Sequence, residues 1–181
     1  MLGVGVALAL GSTRALSLWR ARANVAVVNT GILAALDRQR GGQIENLLRG
    51  AGPSPYLRIA EALGTTAHAL ITHDRHSDVS ERALRLQLGR VSARNLALAN
   101  QRLRRSSWLD ALTVAAIALV GFSAALSEAP SAKAALGLVA ATLLWLANVS
   151  TARSLASSFY SGAEALVDAL VDLVLELRGT K

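Results

Sequence analysis

Two long gaps between charged positions organise the chain. Residues 111–127 form a run of 17 uncharged positions and residues 134–152 a run of 19, both rich in Ala, Leu and Val. About 20 apolar residues in a helix cross a hydrocarbon core of roughly 30 Å, so each run predicts a membrane span. The connection Glu-Ala-Pro-Ser-Ala-Lys, with Pro130, is short and polar, which makes the two runs a hairpin crossing twice. A buried hairpin of a soluble bundle is the alternative. The opening stretch MLGVGVALALGSTRALSLWR predicts a third span. Its positive residues, Arg14, Arg20 and Arg22, follow the apolar run instead of preceding it, which predicts a retained anchor with its N-terminus outside and not a cleaved secretory signal. Arg14 is expected to snorkel to the inner headgroups.

Helical spacing continues over 20–36, so the first span is expected to run inward as helix and to end at Gly41-Gly42, a C-cap pair. A Gly/Pro/Ser break follows, and Pro55 opens another helix, since proline suits a first turn. After a turn around THDRHSD, Asp78-Val79-Ser80-Glu81 has capping-box spacing. No Gly-Pro breaker then intervenes before Pro130. One helix is expected from about Val79 through the second span, on the order of 70 Å long at the standard rise and projecting below the membrane. Leu84, Leu88, Val91, Asn95 and Leu98 alternate steps of four and three, a helix–helix seam within one subunit or between two. In the tail, Glu164, Asp168, Asp172 and Glu176 recur every fourth residue. This acidic stripe is either the wet face of a bundle helix or, in several copies, a ring concentrating cations at a cytoplasmic mouth.

Composition and charge refine this picture. In 181 residues, 52% are hydrophobic, 19 Lys+Arg stand against 12 Asp+Glu, and cysteine is absent, which excludes disulfides, thiolate zinc sites and thiol catalysis. The Ala/Leu/Arg bias favours helix throughout. The fold class expected is an all-α integral membrane protein with three transmembrane helices and long cytoplasmic helical extensions. The segments are a first span (1–19), a basic cytoplasmic region (20–107), a second span (108–127), a short external loop (128–133), a third span (134–152) and a cytoplasmic tail helix (153–181). Region 20–107 carries 14 arginines against 6 acidic residues, and Arg20, Arg22, Arg102, Arg104 and Arg105 flank spans directly. The positive-inside rule therefore puts this region in the cytoplasm, with the N-terminus outside and the C-terminus cytoplasmic.

Enzymatic chemistry has no visible home: no phosphate loop, nucleotide fingerprint or nucleophile elbow is present. His68, His73 and His76 lie beside Asp74 and Asp78, but their spacing does not set three ligands on one helix face, so they read as surface histidines. No metal, cofactor or catalytic residue is expected. Tyr56 is the sole aromatic of the basic region, which argues against base stacking and hence against nucleic acid; anionic lipid headgroups are the simpler partners.

The order of span, large basic helical loop, two-span hairpin and tail helix resembles the MotA/TolQ/ExbB proton-channel family in its shorter TolQ/ExbB form, over nearly the whole chain. GAGPSPYLRIAEAL is similar to the family's loop segment, AALGLVAATLLWLA to its third span, and SSFYSGAEALVDALVDLVLEL to its aromatic-bearing tail. The resemblance sets Thr142 at the family's pore threonine and Phe159 at an aromatic just past the membrane. It departs in the second span, where VGFSAALS has Gly121 and Ser123 but Ala124 or Ala125 where threonine is expected, and in the third, where Thr151 stands near the place of a proline. The resemblance implies a homo-oligomeric ring, pentameric in most members, in a bacterial inner membrane around single-span partners of the MotB/TolR/ExbD type. It further implies an ion pathway through Thr142 and Ser123 and a stator role in a proton-motive-force-driven motor or energy-transduction complex. A non-conducting scaffold subunit of a larger helical membrane complex is the alternative.

Overall fold

A computed structural model describes residues 2–38, 44, 54–73, 80–105, 107–126 and 132–179. The elements among them are helices: α1 (Leu2–Ala21), α2 (Val25–Asp37), α3 (Pro55–His73), α4 (Glu81–Arg105), α5 (Ser107–Ala125) and α6 (Ala132–Leu177). The all-helical class is as expected, and three helical stretches, within Leu2–Asp37, Glu81–Ala125 and Ala132–Leu177, are long and apolar enough to cross a membrane. The chain divides into two compact units. Unit 1 is Met1–Arg20 with Arg102–Leu155, and unit 2 is Ala21–Gln101 with Ala156–Lys181.

Helix ends differ from the expected ones where a polar side chain intervenes. The first span does not run inward as one helix: α1 stops at Ala21, and extended Asn24 caps α2, its Oδ1 accepting the Val27 N–H at 3.3 Å. An Asn side chain that bonds a nearby backbone N–H competes with continuing the helix, which periodicity alone does not register. α2 ends at Asp37, and the Gly41-Gly42 pair lies outside the described residues. Pro55 opens α3 as its chemistry predicts. The cap of α4 is Ser80, whose Oγ accepts the Ala83 N–H at 3.3 Å, whereas Asp78 lies outside the described residues. The helix expected from Val79 through the second span is described as α4 and α5, on either side of residue 106. The segments expected as the third span and the tail helix are one uninterrupted 46-residue helix.

In unit 1, α1 runs antiparallel to α5 and parallel to the first part of α6. Gly3 faces Val120 and Arg14 meets Asp110, while Val4 faces Gly137 and Gly11 faces Leu144. The glycines permit close approach: a Cβ at Gly11 stands 2.8 Å from Leu144 Cδ2, and one at Gly137 overlaps Val4. Small residues let helix backbones approach one another closely. Most of the large side chains of this unit face outward, with Leu119 70% exposed, Phe122 67% and Leu136 70%.

Unit 2 has an ordinary core. Ile32, Leu36, Ile44, Ile59, Leu63, Leu84, Leu88, Phe159, Leu166 and Leu170 are fully buried. The buried positions on the unit 2 part of α6, Phe159, Ala163, Leu166, Val167, Leu170, Val171 and Val174, follow helical spacing and form one apolar stripe.

Candidate functional site

Several polar side chains of unit 1 have defined partners. Thr142, half-buried, donates its hydroxyl to the Leu138 carbonyl at 2.9 Å, and Ser123, exposed, donates to Val120 at 2.9 Å. Both hydroxyls are thus satisfied on their own helices, and each oxygen keeps acceptor capacity for an incoming donor or cation. Thr113 is buried and bonds back to Leu109 at 2.7 Å. Asn148, also buried, crosses between helices: its Nδ2 donates to the Gly11 carbonyl at 2.8 Å.

Arg14 does not snorkel. Only 3% of its side chain is exposed; Nε lies 3.2 Å from Asp110 Oδ2, and Nη1 donates to the Leu103 carbonyl at 3.1 Å. Leu103 stands in the last turn of α4, where carbonyl oxygens are open to side-chain donors and attract a cation. A carboxylate and a helix end within reach replace the water that snorkelling seeks. The sequence reading missed this site; its signal was a lone acid opening one span and a lone arginine inside another.

The arginines expected at the interface are exposed. Arg20, Arg102, Arg104, Arg105 and Arg153 gather, with exposed Trp19 and Trp108, at the end of unit 1 formed by the C-terminus of α1 and the N-terminus of α5. At the opposite end, Lys133 is the sole cation among the described residues. Arg22, in unit 2, is exposed as well.

Unit 2 is pinned by a polar node. The Tyr56 hydroxyl donates to Asn29 Oδ1 at 2.6 Å, and Asn29 Nδ2 donates to the Gly162 carbonyl at 2.9 Å. Ser54 joins by donating its hydroxyl to the Ala21 carbonyl at 2.6 Å. Tyr56 packs on Phe159 with ring centroids 5.5 Å apart, and burial pushes its phenol up to about 12. A Cβ at Gly162 stands 3.0 Å from the Tyr56 hydroxyl and overlaps Val25, so α6 needs glycine there.

The acidic stripe is wet: Glu164, Asp168, Asp172 and Glu176 are all exposed, opposite the buried stripe of α6. Arg85 of α4 lies 3.5 Å from Asp168 and 3.6 Å from Glu81. The α4 seam closes only at its start: Leu84 and Leu88 are fully buried, Asn95 bonds back to Val91, and Leu98 is 50% exposed. An open cleft of about 320 Å³ lies beside it, bounded by Arg85, Ser92, Leu96, Tyr160, Glu164 and Asp168. His68 is half-buried on α3, and no cluster of metal-ligating side chains occurs among the described residues; His76, Asp74 and Asp78 lie outside them.

Fold and sites together define an all-helical chain with three helices suited by length and composition to a bilayer. No family model, curated protein or solved structure matches it.

Proposed function

We propose that this chain is a stator-type subunit of a proton-motive-force-driven motor or energy-transduction complex in a bacterial inner membrane, similar in plan to the MotA/TolQ/ExbB family. Several copies form a ring around single-span partners that supply a membrane carboxylate. The observation that carries the membrane part is the outward apolar surface of unit 1, bounded at one end by arginines and tryptophans. A lipid-facing surface needs apolar side chains all round, and a cytoplasmic boundary collects positive charge and indole rings. Unit 2, with its exposed arginines, then lies in the cytoplasm near anionic headgroups.

In this reading Thr142 supplies the acceptor oxygen of the ion pathway and Ser123 a second one, both held by bonds to their own helices. The partner's carboxylate carries the proton, because the hydroxyls do not ionise at physiological pH. Reconstitution of the chain with a single-span partner into liposomes tests this: proton flux is expected, and Thr142→Val is expected to reduce it at least about tenfold, the size of one lost transition-state hydrogen bond. Unchanged flux in the variant removes the role of Thr142.

A second reading, a non-conducting membrane scaffold, is favoured by Ala124 and Ala125 standing where the family carries a pore threonine. Absence of flux with every partner, from a chain that still forms a ring, selects it.

A further inference from the structure

We infer that the arginine face of α4 docks against the acidic stripe of α6 in a second copy of this chain. The inference rests on the oligomeric reading above and names the contact that builds the oligomer.

Two neighbouring helices of unit 2 carry opposite charge on their outer faces. On α4, Arg82, Leu86, Arg90 and Arg94 recur at every fourth position and are all exposed, Leu86 by 55%. On α6, Glu164, Asp168, Asp172 and Glu176 recur at the same interval and are equally exposed. Matching steps let two such helices meet charge against charge over several turns. Within one chain the match is left almost unused: Arg85 reaches Asp168, while Arg82, Arg90 and Arg94 and Glu164, Asp172 and Glu176 form no ion pair among the described residues.

The surface also has an apolar component. Leu86 and Leu98 lie in the α4 row itself and Tyr160, 62% exposed, heads the α6 row, and the cleft between Gly89 and Glu164 leaves a concave strip beside them. Exposed pairs contribute little singly, but complementary rows around apolar contacts set register and select the partner. An anionic bilayer would satisfy the arginines and repel the carboxylates, so it accounts for only half of the surface. A second copy satisfies both.

The test measures the mass of the detergent-solubilised 181-residue chain by light scattering across protein concentration. Wild type is expected to be oligomeric and to dissociate as salt rises. The triple variants E164R/D172R/E176R and R82E/R90E/R94E are each expected to raise the dissociation constant by on the order of tenfold to a hundredfold. Mixing the two is expected to restore association. As a second measurement with minimal change to either surface, Arg90→Cys and Glu164→Cys, which stand at one level because Arg85 lies beside Asp168, are placed on separate, differently tagged chains; since this chain has no cysteine, a mixed disulfide can only join copies. Oligomers untouched by both reversals and giving no mixed disulfide overturn the docking mode while leaving the ring standing. Reversed chains that stay oligomeric but lose binding to anionic vesicles show that lipid covers the arginines, which also overturns it. A monomeric wild type removes the ring reading itself.

Discussion

Arg14 and Asp110 show how one contact decides a residue's role. A guanidinium with 3% exposure cannot be left without its carboxylate cheaply: removing one partner of a buried pair costs about 3–5 kcal/mol. Asp110 keeps 19% exposure and Arg14 keeps the Leu103 carbonyl, which sets the expectation at the lower end of that range. Asp110→Ala is therefore expected to lower the detergent-phase unfolding temperature, and the double variant R14L/D110L to recover most of the loss. Equal losses in single and double variants contradict the coupling. Tyr56 makes a second prediction. Its phenol ionises near 12 when folded against an ordinary 10, so its contribution is complete below pH 10 and is lost as pH rises from 10 to 12. Tyr56→Phe is expected to cost about 1–2 kcal/mol at neutral pH and to flatten this alkaline decline, read as helix content in thermal melts. Neither pairing was legible in the sequence, because the partners stand well apart: Arg14 and Asp110 are separated by 96 positions, Tyr56 and Asn29 by 27, and Asn29 and the Gly162 carbonyl that anchors it by 133. Charge counts and helical spacing carry no trace of such distances.

Helices themselves were legible. Uninterrupted apolar runs marked α5 and the first part of α6, and the Pro55 start and the wet side of the tail followed from proline chemistry and four-residue spacing. Ends were less so: Asn24 and Ser80 cap helices through side-chain bonds that compete locally with continuing one, and an apolar pattern passes over them. Packing within unit 1 depended on glycines that composition alone leaves without meaning. Gly11→Val is expected to push α1 from Leu144 and so to strain the Asn148 bond to the residue 11 carbonyl, since a Cβ there sits 2.8 Å from the leucine. Gly5→Val, where a Cβ meets nothing within 4 Å, is expected to be neutral. Thermal unfolding of the two variants in detergent separates them, and equal effects contradict the packing. Thr142 and Ser123 were set on the pathway by the family resemblance, not by their pattern in the chain, and their bonds to Leu138 and Val120 show that a hydroxyl's place on a helix and its availability to an ion are separate properties.

For the whole molecule, the two units differ in what surrounds their apolar residues. Unit 2 hides most of them in a core, Leu86 and Leu98 apart; unit 1 turns Leu119, Phe122, Leu136 and Leu143 outward. Exposing so much apolar surface to water is unfavourable by roughly 25 cal/mol for each Å², and a bilayer removes that cost. The account thus stands on unit 1 lying in lipid with its arginine-bearing end inward. Because the natural chain has no cysteine, single substitutions report sidedness cleanly. Lys133, beside the hairpin connection, and Ala97, on α4, are both exposed and suit the purpose. The decisive measurement is labelling of Lys133→Cys and Ala97→Cys by a membrane-impermeant maleimide in intact cells. Labelling at 133 from outside, and at 97 only after permeabilisation, is the expected result. Labelling of 97 from outside, or of both sites equally in a chain that stays soluble without detergent, contradicts the membrane reading and the energy-transducing role built on it.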